Sequence, residues 1–159
     1  MGFALSDIQL SSSAFKQGEA IPAKHTGEAE DLSPALSWKN APEGTKAFAV
    51  ICHDPDAPLV SANGTYGYVH WVLYNLPADC SSLEEGTSKG TAGKNDFGNT
   101  NYGGPMPPPG HGVHQYYFWI LALDSDEELP PGLTLWEFLA KVESKVIGMN
   151  RLVGTYQRS

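Results

Sequence analysis

Three runs dominated by β-branched and aromatic residues constrain this chain more than anything else in it: Ala47 to His53 (AFAVICH), Tyr66 to Leu76 (YGYVHWVLYNL) and Gln115 to Asp124 (QYYFWILALD). Such side chains fit a pleated, buried surface, and none of the runs contains a proline that would remove a ladder hydrogen bond. The first is continuously apolar from Ala47 to Cys52, which predicts a strand buried on both faces. The second is the best candidate for a central strand, with Gly67 as its weak point.

Shorter extended segments are predicted from Phe3 to Leu10, around Ile21 to His25, from Ala35 to Trp38, and in the tail from Arg151 to Ser159. A polar connection rich in Gly and Ser runs from Ala78 to Asn101. With 17 glycines and 12 prolines among 159 residues, turns are frequent, and many short strands joined by such turns suggest a sandwich or a Greek-key sheet. One helix is predicted: Thr134 and Glu137 form a capping box, and Leu135, Phe138, Leu139, Val142 and Val146 recur on one helical face up to a stop at Gly148. No internal repeat or long linker divides the chain, so residues 1–159 are expected to form one domain.

The formal net charge of −8 repels phosphate backbones and anionic lipid surfaces, and the ten basic residues are scattered, so nucleic acid is not an expected partner. No segment approaches the apolar length of a membrane span. MGFALSDIQL lacks the basic and apolar regions of a secretory signal, and Gly2 with Ser6 is only a fragment of a myristoylation signal. A cytoplasmic protein is expected. Cys52 and Cys80 lack the spacing of a zinc or redox motif and read as free thiols, with a disulfide between them left open.

The stretch from Tyr102 to Tyr116, YGGPMPPPGHGVHQY, carries more chemistry than a connection needs. Pro105, Pro107, Pro108 and Pro109 stiffen it, while Gly103, Gly104, Gly110 and Gly112 permit positive φ or close approach to the backbone. This suits the wall of a preorganised pocket. His114 and Tyr116, two apart at the start of a strand, should share one face. His70 should point away from Trp71 by the same period of two, and a lone histidine in such a strand is more often a satisfied core residue than a ligand group. Asp54 and Asp56 in DPDAP read first as a strand-ending turn whose carboxylates bond nearby amides. If Asp54, His70, His114 and Tyr116 meet near the amides of Gly103 and Gly104, the set favours an oxyanion.

Enzymatic readings are weaker. A metal hydrolase built on Asp54, Asp56, His111 and His114 lacks an H-E-x-x-H element, no G-x-S-x-G marks a serine hydrolase, and the glycine-rich loop runs into a strand rather than a helix as a nucleotide site would. No metal or cofactor is expected.

The pieces LSPALSW (Leu32 to Trp38), DPDAP (Asp54 to Pro58), VHWVLYNLP (Val69 to Pro77), Asn95 to Asp124 and LVGTY (Leu152 to Tyr156) resemble the phosphatidylethanolamine-binding protein family, and more closely its bacterial Raf-kinase-inhibitor-like branch. That resemblance implies a mainly β fold of two antiparallel sheets with a few peripheral helices, one of them near the C-terminus. It also implies a pocket for phosphate or a phosphorylated head group lined by Asp54, His70, Gly104, Pro105, His114 and Tyr116, with Met106 at the rim. His111 falls outside those positions. A non-enzymatic small-anion-binding protein with a regulatory role is expected. The alternatives are a weak hydrolase or lyase with His70 and His114 as acid and base, and a module docking a phosphorylated peptide or kinase. The protein partner is unknown and a homodimer is left open.

Overall fold

A computed structural model describes residues 5–57, 60–61, 64–65 and 67–159, with only the backbone of 60–61 and 64–65. Gly2, the beginning of the strand expected from Phe3, Pro58 of DPDAP and Tyr66 of the second run lie outside the described residues.

The three long runs form the three inner strands of a five-stranded antiparallel sheet. In chain order the strands are β1 (Gln9–Ser11), β2 (Leu36–Lys39), β3 (Ala47–Asp54), β4 (Val60–Ser61), β5 (Gly64–Thr65), β6 (Tyr68–Pro77), β7 (Ser82–Leu83), β8 (Thr91–Ala92), β9 (His114–Leu123) and β10 (Val146–Tyr156), with one helix, α1 (Leu135–Val142), before the last. The large sheet has the order β10-β9-β3-β6-β8, a second sheet has the order β1-β2-β7, and β4 and β5 make a separate hairpin. The fold is mainly β, with two antiparallel sheets and one short helix near the C-terminus.

Alternation along β3 sorts its side chains into two cores. Phe48, Val50 and Cys52 point into a cluster with Leu10, Leu36, Trp38 and Leu83 of the smaller sheet and with Phe118 and Ile120 of β9. Ala47, Ala49 and Ile51 point the other way, against Leu121, Leu123 and the α1 residues Leu135, Phe138 and Val142. Three layers follow: small sheet, large sheet, helix. Because β3 is buried on both faces, its sequence is apolar without interruption from Ala47 to Cys52.

Several expectations are corrected. The first strand is only Gln9–Ser11, and Ala23–His25 forms a 3-10 turn in place of an extended segment. The polar connection from Ala78 contributes two edge strands of two residues each, β7 and β8. The capping box is present, with Glu137 N–H donating to the Thr134 hydroxyl, but the helix ends at Val142. Val146 and Gly148 belong to β10, whose ladder with β9 is irregular between those two residues. The helical spacing of Val146 was a coincidence of sequence, since pairing to Leu123 takes it into the sheet. The final strand is therefore longer than the tail expected from Arg151. Cys52 and Cys80 are free thiols.

Candidate functional site

β6 carries two β-bulges, and one of them aims the first site residue. Cys52 opposes Trp71 while His53 opposes Val69, so His70 is the extra residue between them. A bulge interrupts the alternation of a strand and turns a side chain. That is why the period of two fails here: His70 and Trp71 are both buried, and the His70 ring packs at 5.3 Å from Tyr116, a member of the same core cluster as Trp71. The YGGP segment closes on the bulge, with Gly103 N–H donating to the His70 carbonyl (3.0 Å) and His70 Nδ1 donating to the Gly103 carbonyl (2.6 Å). In the neutral ring that leaves Nε2 with a lone pair. Burial pushes the His70 pKa below its ordinary value, against a smaller upward pull from the Gly103 carbonyl and Asp54.

Asp54 ends β3 and is buried. Its Oδ1 accepts from the amide of Asp56 (2.8 Å) and its Oδ2 from His114 Nδ1 (2.7 Å). Asp56 in turn accepts from Gln115 N–H (2.7 Å), which ties the DPDAP turn to the first turn of ladder in β9. The DPDAP carboxylates therefore stabilise a turn, as expected, and one of them also holds a histidine. His114 and Tyr116 share a face of β9, as expected, with nearly parallel rings 6.3 Å apart. The Tyr116 hydroxyl is buried without a hydrogen-bond partner. Burial, followed by the nearby Asp54 carboxylate, holds its pKa far above the usual phenol value.

Asp54, His70, His114 and Tyr116 line one cavity of about 310 Å³. Its other walls are Ala57, Tyr68, Phe97, Met106, Pro107 and Pro108. Among the described residues, no Lys or Arg lines it. Tyr68, His70 and Phe97 form an aromatic group with centroids 4.9–5.6 Å apart. Phe97 is held there because Asp96 brackets Val69 of β6, its carboxylate accepting from Val69 N–H (2.7 Å) and its own amide donating to the Val69 carbonyl (2.9 Å). Phe97 and Met106 are exposed, so the mouth is apolar and the floor polar.

Gly104 and Pro105 do not line this cavity. Gly104 N–H donates to Asp31 Oδ1 (2.7 Å), and a Cβ at Gly104 would collide with the carbonyl of His25 and with Asp31. The Pro105 carbonyl accepts from Gly27 (3.0 Å). These residues hold the loop against the 3-10 turn, and the amides of Gly103 and Gly104 are both engaged within the protein. Sequence reasoning missed Tyr68 and Phe97. Tyr68, two residues before His70, carried a weak signal in strand spacing; Phe97 carried none outside the resemblance. His111, set aside earlier, lies on His114: its Nδ1 is 2.7 Å from His114 Nε2. Among the described residues, no group of three His, Cys, Asp or Glu side chains could hold a metal ion.

The profile of the family described as phosphatidylethanolamine-binding protein matches residues 11–157. The chain belongs to that family. Among similar proteins, an uncharacterised "UPF0098 protein" of Aquifex aeolicus is 39% identical over 158 residues, covering 95% of this chain and 89% of its own. A putative phosphatidylethanolamine-binding protein homologue from Chlamydia trachomatis has the same fold, with a TM-score of 0.88 and 33% identity over 96% of this chain and 98% of that one. Escherichia coli YbcL follows, with a TM-score of 0.87 and 30% identity over 97% of this chain and all of that one. A phosphatidylethanolamine-binding protein from Plasmodium vivax, at 15% identity and a TM-score of 0.61, shows the fold alone. In this family member no helix among the described residues is long and apolar enough to cross a membrane.

Proposed function

We propose that this protein binds a small anion, a phosphate or a phosphorylated head group, in the cavity between β3, β6, β9 and the Pro/Gly loop, and does so without turning it over. The observation that carries the reading is the Tyr116 hydroxyl, a buried donor with no partner beside His70 and the Asp54–His114 pair. A buried hydroxyl left unpaired costs about 1–3 kcal/mol, which an oxygen acceptor of a ligand offsets. The Asp54 carboxylate keeps its negative charge, partly offset by the hydrogen bonds that its two oxygens accept from Asp56 and His114.

With no Lys or Arg among the described residues of the wall, the positive charge has to come from protons. A neutral His70 presents a lone pair at Nε2, which suits the P–OH of a monoprotonated phosphate. A protonated His70 donates instead. Either route couples binding to a proton. The apolar mouth of Phe97, Met106, Pro107 and Pro108 accommodates the carbon part of a phosphorylated molecule.

Calorimetry with inorganic phosphate and with O-phosphoethanolamine tests the reading, using the wild type and Tyr116→Phe. Saturable binding that weakens several-fold in Tyr116→Phe is expected; absence of binding by the wild type overturns it. Hydrolysis of a phosphate monoester by the wild type that vanishes in His114→Ala would replace the binder with an enzyme. A cytoplasmic location belongs to the same proposal.

A further inference from the structure

His114 has two ring nitrogens, and in the free protein both are taken. Nδ1 must donate, because its partner, Asp54 Oδ2 at 2.7 Å, is an acceptor. Nε2, the remaining position, faces Nδ1 of His111 at 2.7 Å. If His114 is neutral, His111 donates to it; if His114 is an imidazolium, it donates to His111. One proton lies between the two rings in both cases. The line Asp54–His114–His111 therefore runs from a buried carboxylate to an exposed imidazole, and its last member occupies the one ring nitrogen of His114 that is not committed to Asp54.

We propose that His111 is a built-in competitor of the ligand: its imidazole occupies His114 Nε2 in the free protein and is displaced when an anion binds. This rests on the binding reading given above. The geometry of the loop fits the role. The segment that supplies the mouth of the cavity, Met106 to Pro108, continues directly into His111 and returns at His114. His111 is exposed, so its ring has solvent to move into, and it sits between Gly110 and Gly112, both at positive φ. Its turn is held separately, by His111 N–H to the Pro108 carbonyl (3.1 Å) and Gly110 N–H to the Arg158 carbonyl (3.1 Å). Only the side chain has to move.

A competing internal contact lowers the apparent affinity by the fraction of molecules in which the site is free. A hydrogen bond of ordinary net strength corresponds to a factor of roughly three to ten. Calorimetry with inorganic phosphate on the wild type and His111→Ala should therefore show binding roughly three- to ten-fold tighter in the variant. In the wild type, imidazole 15N resonances of His111 should lose the signature of the shared proton on saturation with phosphate. Equal or weaker binding by His111→Ala, or His111 resonances that do not move while phosphate binds, overturns the competitor role and leaves the binding reading intact. Failure of both proteins to bind phosphate overturns the binding reading, and the competitor role with it.

Discussion

His70 concentrates the conflict between folding and function at this site. It is buried, its Nδ1 is committed to the Gly103 carbonyl, and burial depresses its pKa. A histidine whose pKa is lower folded than unfolded stabilises the fold only while neutral. Its contribution is complete above the unfolded value near 6.5 and is lost as pH falls through the depressed folded value. Denaturant unfolding between about pH 7.5 and 5 should show stability falling with pH, and His70→Gln should flatten the slope. Phosphate affinity should move the opposite way, strengthening as pH falls below the ordinary histidine range, where His70 gains its proton; equal calorimetric affinities across that range would remove His70 charge as the source. The depressed pKa thus moves the titration window below the ordinary histidine range. Tyr116→Phe removes a buried hydroxyl without a partner, so the free protein should be as stable as the wild type or more stable by about 1 kcal/mol, even as it loses affinity for phosphate. Gly104→Ala should be strongly destabilising, by about 2 kcal/mol or more, because the new methyl meets the His25 carbonyl; thermal unfolding reads this directly. The pairing of His114 and Tyr116 was legible in the sequence because an uninterrupted strand has a fixed period. The direction of His70 was not, because a bulge leaves no mark in composition.

At the scale of elements, the long inner strands are the ones legible in the sequence. β3 and β9 begin and end within a residue of the runs that predicted them. β1, β7 and β8 are three residues long or shorter, too short for a periodic pattern, and exist only because a longer neighbour offers them a ladder. The helix shows both sides of this. Its start was legible because capping is local chemistry, and Thr134→Ala should cost about 1 kcal/mol in denaturant unfolding. Its end was not, because Val146 obeys helical spacing and strand pairing equally well, and only the ladder to Leu123 decides. Phe138 stacks on Tyr74 at 5.2 Å and is fully buried, so Phe138→Ala should cost about 3–5 kcal/mol.

Across the whole molecule, β3, β6 and β9 each contribute to both cores, which should couple the two into one unfolding event. Tryptophan fluorescence and far-ultraviolet circular dichroism are expected to give coincident transitions; two separated transitions would mean that the helix layer unfolds on its own. The site draws on the ends of β3 and β9, the bulge of β6, the turn carrying Phe97 and the Pro/Gly loop, segments spread from Asp54 to Tyr116. By itself the sequence determined the chemistry on offer: strand-forming runs, a stiff loop, a capped helix, and the histidines, aspartates and tyrosine of the floor, together with motifs specific enough to indicate the family. These are properties of residue type and local spacing, which a chain carries before it folds. Tertiary structure alone decided which donors remain free. It assigned the glycine amides to the His70 carbonyl and Asp31, left the Tyr116 hydroxyl without a partner, and set His111 against His114, because hydrogen-bond partners far apart in sequence are chosen only when the sheets bring them within about 3 Å.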